Sequence, residues 1–318
     1  NGQVWYNSTT QILKGFKSNP AGSWATGGNL TMQRYGMGSA GTQTAALVFG
    51  GGKAAPAAGH KTETESYNGT SWTEVADLNT KRNHGAGLGA SNTAALMTGG
   101  FADNYIDNTE TWNGSSWTEV GDANDTKYYH HGAGTTTSAI ISGGIAGQVG
   151  SDALTGNVET WNGSAWTETT NLTTTRAYHG MFGTATAALG MGGYNDGLSP
   201  STRGECESWN GSSWTEVADL GTASYGFGSS TNGTSTSGLR FGGMPSQSSP
   251  IDDTEEWNGT SWSELGNLNS ARYYGAGAGN TSAGLYTGGR IRTTAENDQN
   301  STEEFTAPLE TTVTFTVS

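Results

Sequence analysis

The sequence predicts an all-β fold, a β-propeller of six four-stranded blades, and three observations lead to it. A short apolar segment ending in two glycines occurs six times, at the spacing of roughly 40 to 50 residues that is typical of propeller blades. A block containing Asn-Gly and a Trp follows each of the first five copies. The two halves of a sixth block lie near opposite ends of the chain, which predicts a closed ring.

The double-glycine segments predict the second strand of each blade. They are ALVFGG at 46–51, ALMTGG at 95–100, AIISGG at 139–144, ALGMGG at 188–193, GLRFGG at 238–243 and GLYTGG at 284–289. Glycine permits the sharp backbone course expected at the end of such a strand. A first strand is expected to begin near the Tyr-Gly or His-Gly pair that precedes each segment.

The second block predicts the third and fourth strands. Its five complete copies cover residues 63–78, 109–123, 158–172, 206–220 and 254–268. A Glu and an aromatic residue two positions apart share one face of the third strand. Asn-Gly is a strong hairpin signal because both residues tolerate a positive φ, and the Trp then lies in the fourth strand.

The sixth block is split between Thr302–Phe305 and Gly22–Thr26. We therefore expect an N-terminal strand to complete the last blade, so that the propeller spans residues 22–306. Each blade has two apolar faces, and a ring leaves neither face of any blade bare.

The basic residue and the aromatic residue or His before the first strand, the Gly-Gly, the Glu-x-Tyr/Trp and the later Trp resemble the kelch repeat over residues 22–306. The segments WNGSSWTEVADL at 209–220 and GQVWYNSTTQILKGF at 2–16 are similar to kelch-like repeats and shaft-to-tip hairpins in tail-fibre and structural proteins of phages, especially marine ones. That resemblance implies an extracellular, virion location and other virion subunits as partners.

Composition excludes several classes of partner. The chain has 14 Lys plus Arg against 28 Asp plus Glu, a formal charge of −14, so attraction to phosphate is not expected and neither is nucleic acid. No apolar run approaches the length of a membrane span, so membrane insertion is not expected. Because the chain begins at Asn1, we expect a mature product or part of something longer.

Flat rings recur before the first-strand glycine, where they would line an axial channel: Tyr35, His84, His131, His179, Tyr225 and Tyr274. Three of them are His, which suits Zn, Cu or Ni. We expect these rings to pack rather than bind metal, because the kelch pattern carries a ring here without metal. His130 is expected to point away from His131, since neighbouring residues of a strand face opposite sides.

Enzyme chemistry is not expected, and neither is a cofactor. A galactose-oxidase-like site needs a Tyr cross-linked to a Cys, whereas the single cysteine, Cys206, is predicted to be a buried thiol in a third strand. The Asp residues near the loops, such as Asp103 and Asp152, lack the spacing of a calcium loop. The Asn-Gly-Ser/Thr copies match the glycosylation sequon, but their repeated placement is explained by the turn.

A Glu recurs two residues before the aromatic in every third strand: Glu65, Glu110, Glu159, Glu207, Glu255 and Glu303. Six equivalent carboxylates indicate a structural role, because glycoside hydrolysis needs two unequal ones. We expect them to pair with backbone amides or with the basic residue before the first strand: Arg34, Arg82, Lys127, Arg176 and Arg272. Ser224 takes that place once, so Glu207 is expected to find another partner.

Strand order puts the loops between second and third strands on one face, and these loops differ most between blades: 52–62, 101–108, 145–157, 194–204, 244–253 and 290–300. Unlike loops on a rigid scaffold are typical of recognition. Aromatic side chains stack on sugars or peptides, and Arg binds carboxylates, so the candidate ligand-binding residues are Tyr105, Tyr194, Arg203, Arg290 and Arg292.

Two flanking segments have no place in the six blades. Residues 1–21 predict a hairpin and residues 307–318 a further strand, which are expected to pair with each other, with the last blade or with a neighbouring subunit. The resulting hypothesis is a non-enzymatic structural and recognition module of a phage virion, a tail fibre or surface protein that binds a host-surface glycan or protein. The alternatives are a secreted or surface-bound bacterial propeller used in adhesion or filament assembly, which gene neighbourhood would distinguish, and a galactose-oxidase-like enzyme.

Overall fold

The chain forms strands joined by turns and loops, and no helix occurs in the part that the structure describes. The structure is a computed structural model that describes residues 4–7, 12–18, 21–54, 59–147, 149–150, 152–245, 249–291, 297–308 and 310–315. Within these residues there is accordingly no helix that would cross a membrane.

Six four-stranded antiparallel sheets, here numbered 1 to 6 along the chain, organise the described residues. The first strands are Gly38–Thr42, Ala86–Ser91, His131–Thr135, Gly180–Thr184, Gly228–Ser229 and Ala276–Gly279. The second strands are Ala45–Phe49, Ala94–Phe101, Ser138–Ser142, Ala187–Tyr194, Gly238–Phe241 and Ala283–Thr287. The third strands are Thr64–Tyr67, Tyr105–Trp112, Val158–Trp161, Thr202–Trp209, Thr254–Trp257 and Thr302–Thr306.

The fourth strands carry the repeated Trp: Trp72–Val75, Trp117–Glu119, Trp166–Thr169, Trp214–Val217, Trp262–Glu264 and, for sheet 6, Ser23–Thr26. In sheet 6, Trp24 lies opposite Phe305 and Thr26 opposite Glu303. The predicted union of the two half blocks is therefore confirmed. The N-terminal and C-terminal parts of the chain share one antiparallel ladder.

The sheets are arranged like the blades of a propeller. The first strand of each sheet contacts the first strand of the next, and the first strand of sheet 6 contacts that of sheet 1. Two short β-ladders also occur in the loops. In one, Gly52–Lys53 pairs with Gly59–His60. In the other, Ile145–Ala146 lies between Lys127–Tyr128 and Ala153–Leu154. All-β, propeller-like architecture is thus what the sequence predicts and what the chain adopts.

The flanking segments pair with each other. Val4–Asn7 and Ile12–Ser18 form a hairpin, and Glu310–Phe315 adds antiparallel to Ile12–Ser18, with Leu13 opposite Phe315 and Ser18 opposite Glu310. This is one of the three arrangements that the sequence left open. The result is a three-stranded sheet built from both ends of the chain.

Apolar side chains fill the spaces between neighbouring sheets. One such cluster joins Val48 and Trp72 of sheet 1 to Ala278 and Leu285 of sheet 6. The indole N–H of the fourth-strand Trp often extends across this space to the neighbouring sheet, as in the 3.1 Å bond from Trp117 to Thr64. Burying these rings and satisfying their N–H groups explains why the sheets stack.

The row of third-strand carboxylates forms buried ion pairs, as expected, but one assignment was wrong. Glu207 pairs with Arg176 at 2.5 Å. The sheet that contains Ser224 is sheet 5, so the carboxylate without a preceding basic residue is Glu255. Arg240, on the second strand directly opposite Glu255, supplies the missing guanidinium. Sheet 5 lacks the basic residue before its first strand, and Arg240 of the second strand supplies the positive charge. A buried carboxylate without a partner would destabilise the fold.

The Asn-Gly turns also differ in detail from the expectation. Tyr67 pairs with Trp72, so the loop contains four residues, and only Gly69 takes a positive φ, of 87°. The Asn68 side-chain oxygen accepts hydrogen bonds from the N–H groups of Thr70 and Ser71, both at 2.9 Å. Asn is therefore selected for a side-chain hydrogen bond to the turn and not for a left-handed backbone.

Candidate functional site

Six residues in left-handed backbone conformation lie at the centre of the molecule, each just before a first strand. Their φ angles lie between 52° and 63°. Hydrogen bonds of 2.6 to 2.9 Å run from the N–H of each to the carbonyl of the preceding member, and the N–H of the first bonds the carbonyl of the last. We call this set the axial cycle: Gly36, His84, Tyr129, Tyr178, Gly226 and Tyr274.

The axial cycle corrects the predicted set of equivalent ring positions. His84 and Tyr274 belong to the cycle, whereas Tyr35 and Tyr225 lie one residue before it, His179 one residue after and His131 two residues after. The predicted set contains the residue before a glycine in each repeat. That glycine, however, lies at a different distance from the basic residue in different repeats. Each member of the cycle instead follows the basic residue, or Ser224, by two positions.

Aromatic rings cover the cycle and continue outward as one connected cluster. Tyr129 and Tyr178 are the closest pair, with ring centroids 3.8 Å apart, and His84 lies 4.2 Å from Tyr129. Tyr178 also contacts Tyr274 at 5.8 Å. We call ten rings of this cluster the aromatic platform: Tyr35, His84, Tyr105, Tyr128, Tyr129, Tyr178, Tyr194, Tyr225, Tyr273 and Tyr274. Phe101 and His60 extend the cluster beyond Tyr105 and Tyr128.

The platform lies on the same face as the variable loops. The residue before each cycle member bridges to the residue that follows the double glycine, as in Asn83 with Phe101, Ala177 with Tyr194 and Tyr225 with Met244. The variable loops begin at those residues after the double glycine. The described residues at which these loops begin therefore lie beside the platform, in agreement with the predicted sharing of one face.

A cavity of about 80 Å³ lies beneath the platform on the axis. Its wall includes His130, His131 and His179, together with small residues of the first strands. His130 contributes to this wall, while its ring packs against Gly99 of sheet 2, so its predicted orientation away from His131 stays a prediction. One water molecule needs about 10 to 15 Å³ of such volume, so the cavity has room for several water molecules.

The loop 230–237 of sheet 5 lies across the far end of the cavity. Thr231 lines the cavity and donates to the carbonyl of Gly41 at 3.2 Å. Asn232 donates from its amide side chain to Gly41 and to Ala90, both at 3.1 Å, which joins sheet 5 to sheets 1 and 2. The loop therefore covers the end of the cavity opposite the platform.

Burial keeps the cavity His residues neutral and the platform hydroxyls protonated. It lowers the pKa of His84 to about 3 and that of His131 to about 4, and it lowers the pKa of His130 and His179 as well. The same desolvation raises the pKa of Tyr129, Tyr178 and Tyr274. The platform thus presents neutral rings and hydroxyl donors at physiological pH.

Of the predicted ligand-binding tyrosines, both belong to the platform. Tyr105 is the first residue of a strand and is only 6% exposed. Its ring stacks on that of Tyr128, with the centroids 4.4 Å apart, and its hydroxyl donates a 2.5 Å hydrogen bond to the Asp152 carboxylate. Tyr194 ends a strand, is partly exposed and contacts Tyr225 at 5.4 Å. It also lines a hollow of about 540 Å³ with Leu198 and Pro200.

The predicted arginines already have partners. Arg203 lies in a third strand, not in a loop, and forms an ion pair with Glu205 and a 2.8 Å hydrogen bond to the carbonyl of Pro200. Arg290 lies 3.1 Å from Asp298 and covers the ring of Tyr35 at 4.6 Å. Arg292 lies outside the described residues.

Other chemistry considered at the sequence level is placed as follows. Cys206 is fully buried, as predicted, and burial raises the pKa of its thiol to about 12. His131 and His179 contact each other at 6.3 Å between ring centroids, and the Ser142 hydroxyl lies 2.9 Å from Nε2 of His179. Over the described ranges, no group of three His, Cys, Asp or Glu is placed to hold a metal ion.

Comparison with known proteins adds no family. No protein-family profile matches the chain, and no curated protein is significantly similar to it.

Proposed function

We propose that the chain is a closed six-bladed propeller of the kelch-like kind. The axial cycle supports closure, because its hydrogen bonds return from Tyr274 to Gly36. Two further contacts between sheets 6 and 1 support it: the first strands touch, and Gly289 donates to the carbonyl of Arg34 at 2.9 Å. Sheet 6 also takes its fourth strand from Ser23–Thr26, so opening the ring would unpair a ladder.

We further propose that this propeller is a non-enzymatic recognition module of a phage virion, part of a tail fibre or surface protein. Its variable-loop face would contact a host-surface glycan or protein. The observation that carries the proposal is the position of the aromatic platform, which lies beside the residues at which the unlike loops begin. A rigid scaffold that displays unlike loops around partly exposed rings is suited to binding rather than to catalysis.

The state of the ionisable groups favours binding over catalysis. The third-strand carboxylates are engaged in buried ion pairs, for example Glu110 with Arg82 at 2.7 Å. The cavity imidazoles are neutral, with the pKa of His131 lowered to about 4. General acid–base catalysis works best with a group whose pKa is close to the operating pH, and burial lowers the pKa of these imidazoles below it.

The sheet formed by both chain ends is proposed to attach the propeller to other virion subunits. Its strands, Val4–Asn7, Ile12–Ser18 and Glu310–Phe315, pair with one another and form a unit separate from the six sheets. A sheet with strands at its edges offers unpaired backbone groups to a further strand. An assembly contact here would leave the variable-loop face available to a ligand.

Site-specific shielding tests which face binds. Asp103, whose side chain is 83% exposed, lies on the variable-loop face, and Ser115 lies in an exposed turn of the opposite face. Asp103→Cys and Ser115→Cys, each coupled to polyethylene glycol, form a matched pair, because Cys206 is buried and its thiol pKa is raised to about 12. Binding of the labelled chain to a glycan array and to intact bacteria is then measured.

We expect the polymer at Asp103→Cys to reduce binding and the polymer at Ser115→Cys to leave it unchanged. Equal reduction by both, or reduction only at Ser115→Cys, would place recognition elsewhere. A wild-type chain that binds neither the array nor any bacterium in the panel would contradict the recognition role itself.

A further inference from the structure

The side chains of the axial cycle are not required by the backbone. Gly36 and Gly226 show that glycine fills this position, and glycine adopts a positive φ without strain. Four of the six members nevertheless carry a ring, at φ angles of 52° to 58°. Non-glycine residues in this conformation are strained and concentrate at functional sites, so these rings call for a reason beyond the course of the chain.

Filling the channel explains part of the arrangement. The His84 ring covers Gly36 and the Tyr274 ring covers Gly226, where an added Cβ would come within 2.6 Å of the ring atoms. However, His84, Tyr129, Tyr178 and Tyr274 remain partly exposed. The cluster also continues beyond the axis through Tyr128 to Tyr105 and through Tyr178 to Tyr194. The platform is therefore wider than a plug for the channel.

The chemistry of the platform fits an uncharged sugar. Tyrosine rings offer flat faces to the C–H groups of a sugar ring, and their protonated hydroxyls are donors for sugar oxygens. The two described arginines beside the platform are engaged: Arg290 with Asp298 and Arg203 with Glu205. With a net charge of −14, the chain repels an anionic ligand.

We propose that the aromatic platform is the binding site for an uncharged sugar residue, which stacks on the partly exposed rings around Tyr178. This proposal rests on the proposed recognition function and assigns the site and ligand class within it. Polar groups at the edge, such as the Asp152 carboxylate that accepts the Tyr105 hydroxyl at 2.5 Å, are positioned to receive sugar hydroxyls. The variable loops then select which sugar is bound.

The experiment is saturation-transfer NMR of the whole chain with methyl glycosides of glucose, galactose, mannose and N-acetylglucosamine. Glucuronic acid and N-acetylneuraminic acid serve as anionic comparisons. The test variant is Tyr129→Gly/Tyr178→Gly, which removes two rings and leaves the residue that the chain itself uses at Gly36 and Gly226. The matched control is Tyr129→Phe/Tyr178→Phe, which keeps the rings. The single variant Tyr178→Gly decides if the double variant does not fold.

We expect at least one uncharged glycoside to bind, the Gly variant to raise its Kd at least about tenfold, which is about 1.4 kcal/mol, and the Phe variant to retain binding. Unchanged affinity in the Gly variant, or preference for the anionic sugars, would overturn this site assignment while leaving recognition by the face intact. Binding of a peptide but of no sugar would do the same. A chain that binds no ligand and no cell overturns both proposals.

Discussion

The indole Nε1 of Trp72 donates a 2.9 Å hydrogen bond to Oγ1 of Thr302, a residue 230 positions later in the chain. Trp72 belongs to sheet 1 and Thr302 to sheet 6. The same contact joins Trp166 of sheet 3 to Thr109 of sheet 2 at 3.0 Å. The contact between the two ends of the repeat array thus has the same chemistry as a contact between successive sheets.

Cys206 occupies the Thr position of this contact in sheet 4. The indole of Trp262, in the next sheet, packs against the same cluster, where its Nε1 faces the Cys206 sulfur, a weak acceptor, in place of a hydroxyl oxygen. We expect Cys206→Thr to supply the acceptor and raise the free energy of unfolding by about 1 kcal/mol, the usual net value of a hydrogen bond. Urea denaturation of Cys206→Thr and Cys206→Val measures it. Equal stability of the two variants would show that no such bond forms.

In sheet 5 the buried carboxylate pairs with Arg240 of the second strand and not with a basic residue before the first strand, so the position of the arginine can be exchanged by mutation. Arg240→Val leaves the buried Glu255 without its partner, and we expect a loss of about 3 to 5 kcal/mol in the free energy of unfolding. Val is the residue at the corresponding position of sheet 1, where Val48 lies opposite Glu65. Adding Ser224→Arg restores the usual arrangement, so the double variant should recover most of the loss. A double variant no more stable than Arg240→Val alone would contradict this equivalence.

Backbone strain in the axial cycle predicts an unusual order of stabilities. Tyr178 has a φ of 57°, a conformation that costs a residue with a Cβ about 1 to 2 kcal/mol. Tyr178→Gly should therefore be more stable than Tyr178→Ala by about that amount, the reverse of the order in an ordinary strand. Thermal or urea unfolding of the two variants decides, and an Ala variant at least as stable as the Gly variant would count against the assigned backbone.

The neutral cavity imidazoles predict acid sensitivity. The pKa of His131 is lowered to about 4, against about 6.5 in the unfolded chain. Between these values the unfolded chain binds the proton and the folded chain does not. Stability present above pH 6.5 is therefore lost as the pH falls toward 4, at about 1.4 kcal/mol per pH unit for such a residue.

His131→Ala isolates this contribution, because Ala86 and Ala276 are the matching residues of sheets 2 and 6. The difference in unfolding free energy between wild type and variant should shrink steadily from pH 7 to pH 4.5. A difference that does not change with pH would mean that folding does not shift the pKa of His131.

The sequence predicted the strands well because each is encoded by a repeated local pattern. The split block is the clearest case: Trp24 and Phe305 carry the fourth-strand and third-strand signatures, and they lie opposite each other. Repetition also predicted the buried ion pairs. It misplaced the exception, because Ser224 precedes sheet 5 whereas Glu207 lies in the third strand of sheet 4, and only the register of the strands assigns Glu255 to sheet 5.

The axial cycle and the platform were harder to predict, because membership depends on how close a residue lies to the axis and not on a local sequence pattern. Tyr129 was missed since no glycine follows it, and counting two residues from Lys127 would have found it. The loop 230–237 was missed because the contacts of Asn232 with Gly41 and Ala90 join distant parts of the chain. The sequence places Tyr105 in a loop, whereas the turn 102–104 contains only three residues and the third strand begins at Tyr105.

Ring closure is the claim on which the cavity, the platform and the recognition face all depend. A double-mutant cycle between Trp72→Phe and Thr302→Val measures the coupling between sheets 1 and 6, and the cycle between Trp166→Phe and Thr109→Val is its match. Each threonine also forms a hydrogen bond to a second-strand Thr: Thr302 to Thr287 at 2.7 Å and Thr109 to Thr98 at 2.9 Å. The loss of this second bond is therefore common to both cycles and cancels when the two coupling energies are compared.

A closed ring predicts equal coupling energies of about 1 kcal/mol in the two cycles, measured from urea unfolding. A normal value for Trp166 with Thr109 and no coupling between Trp72 and Thr302 would mean that the first and last sheets do not meet, and the account would fail.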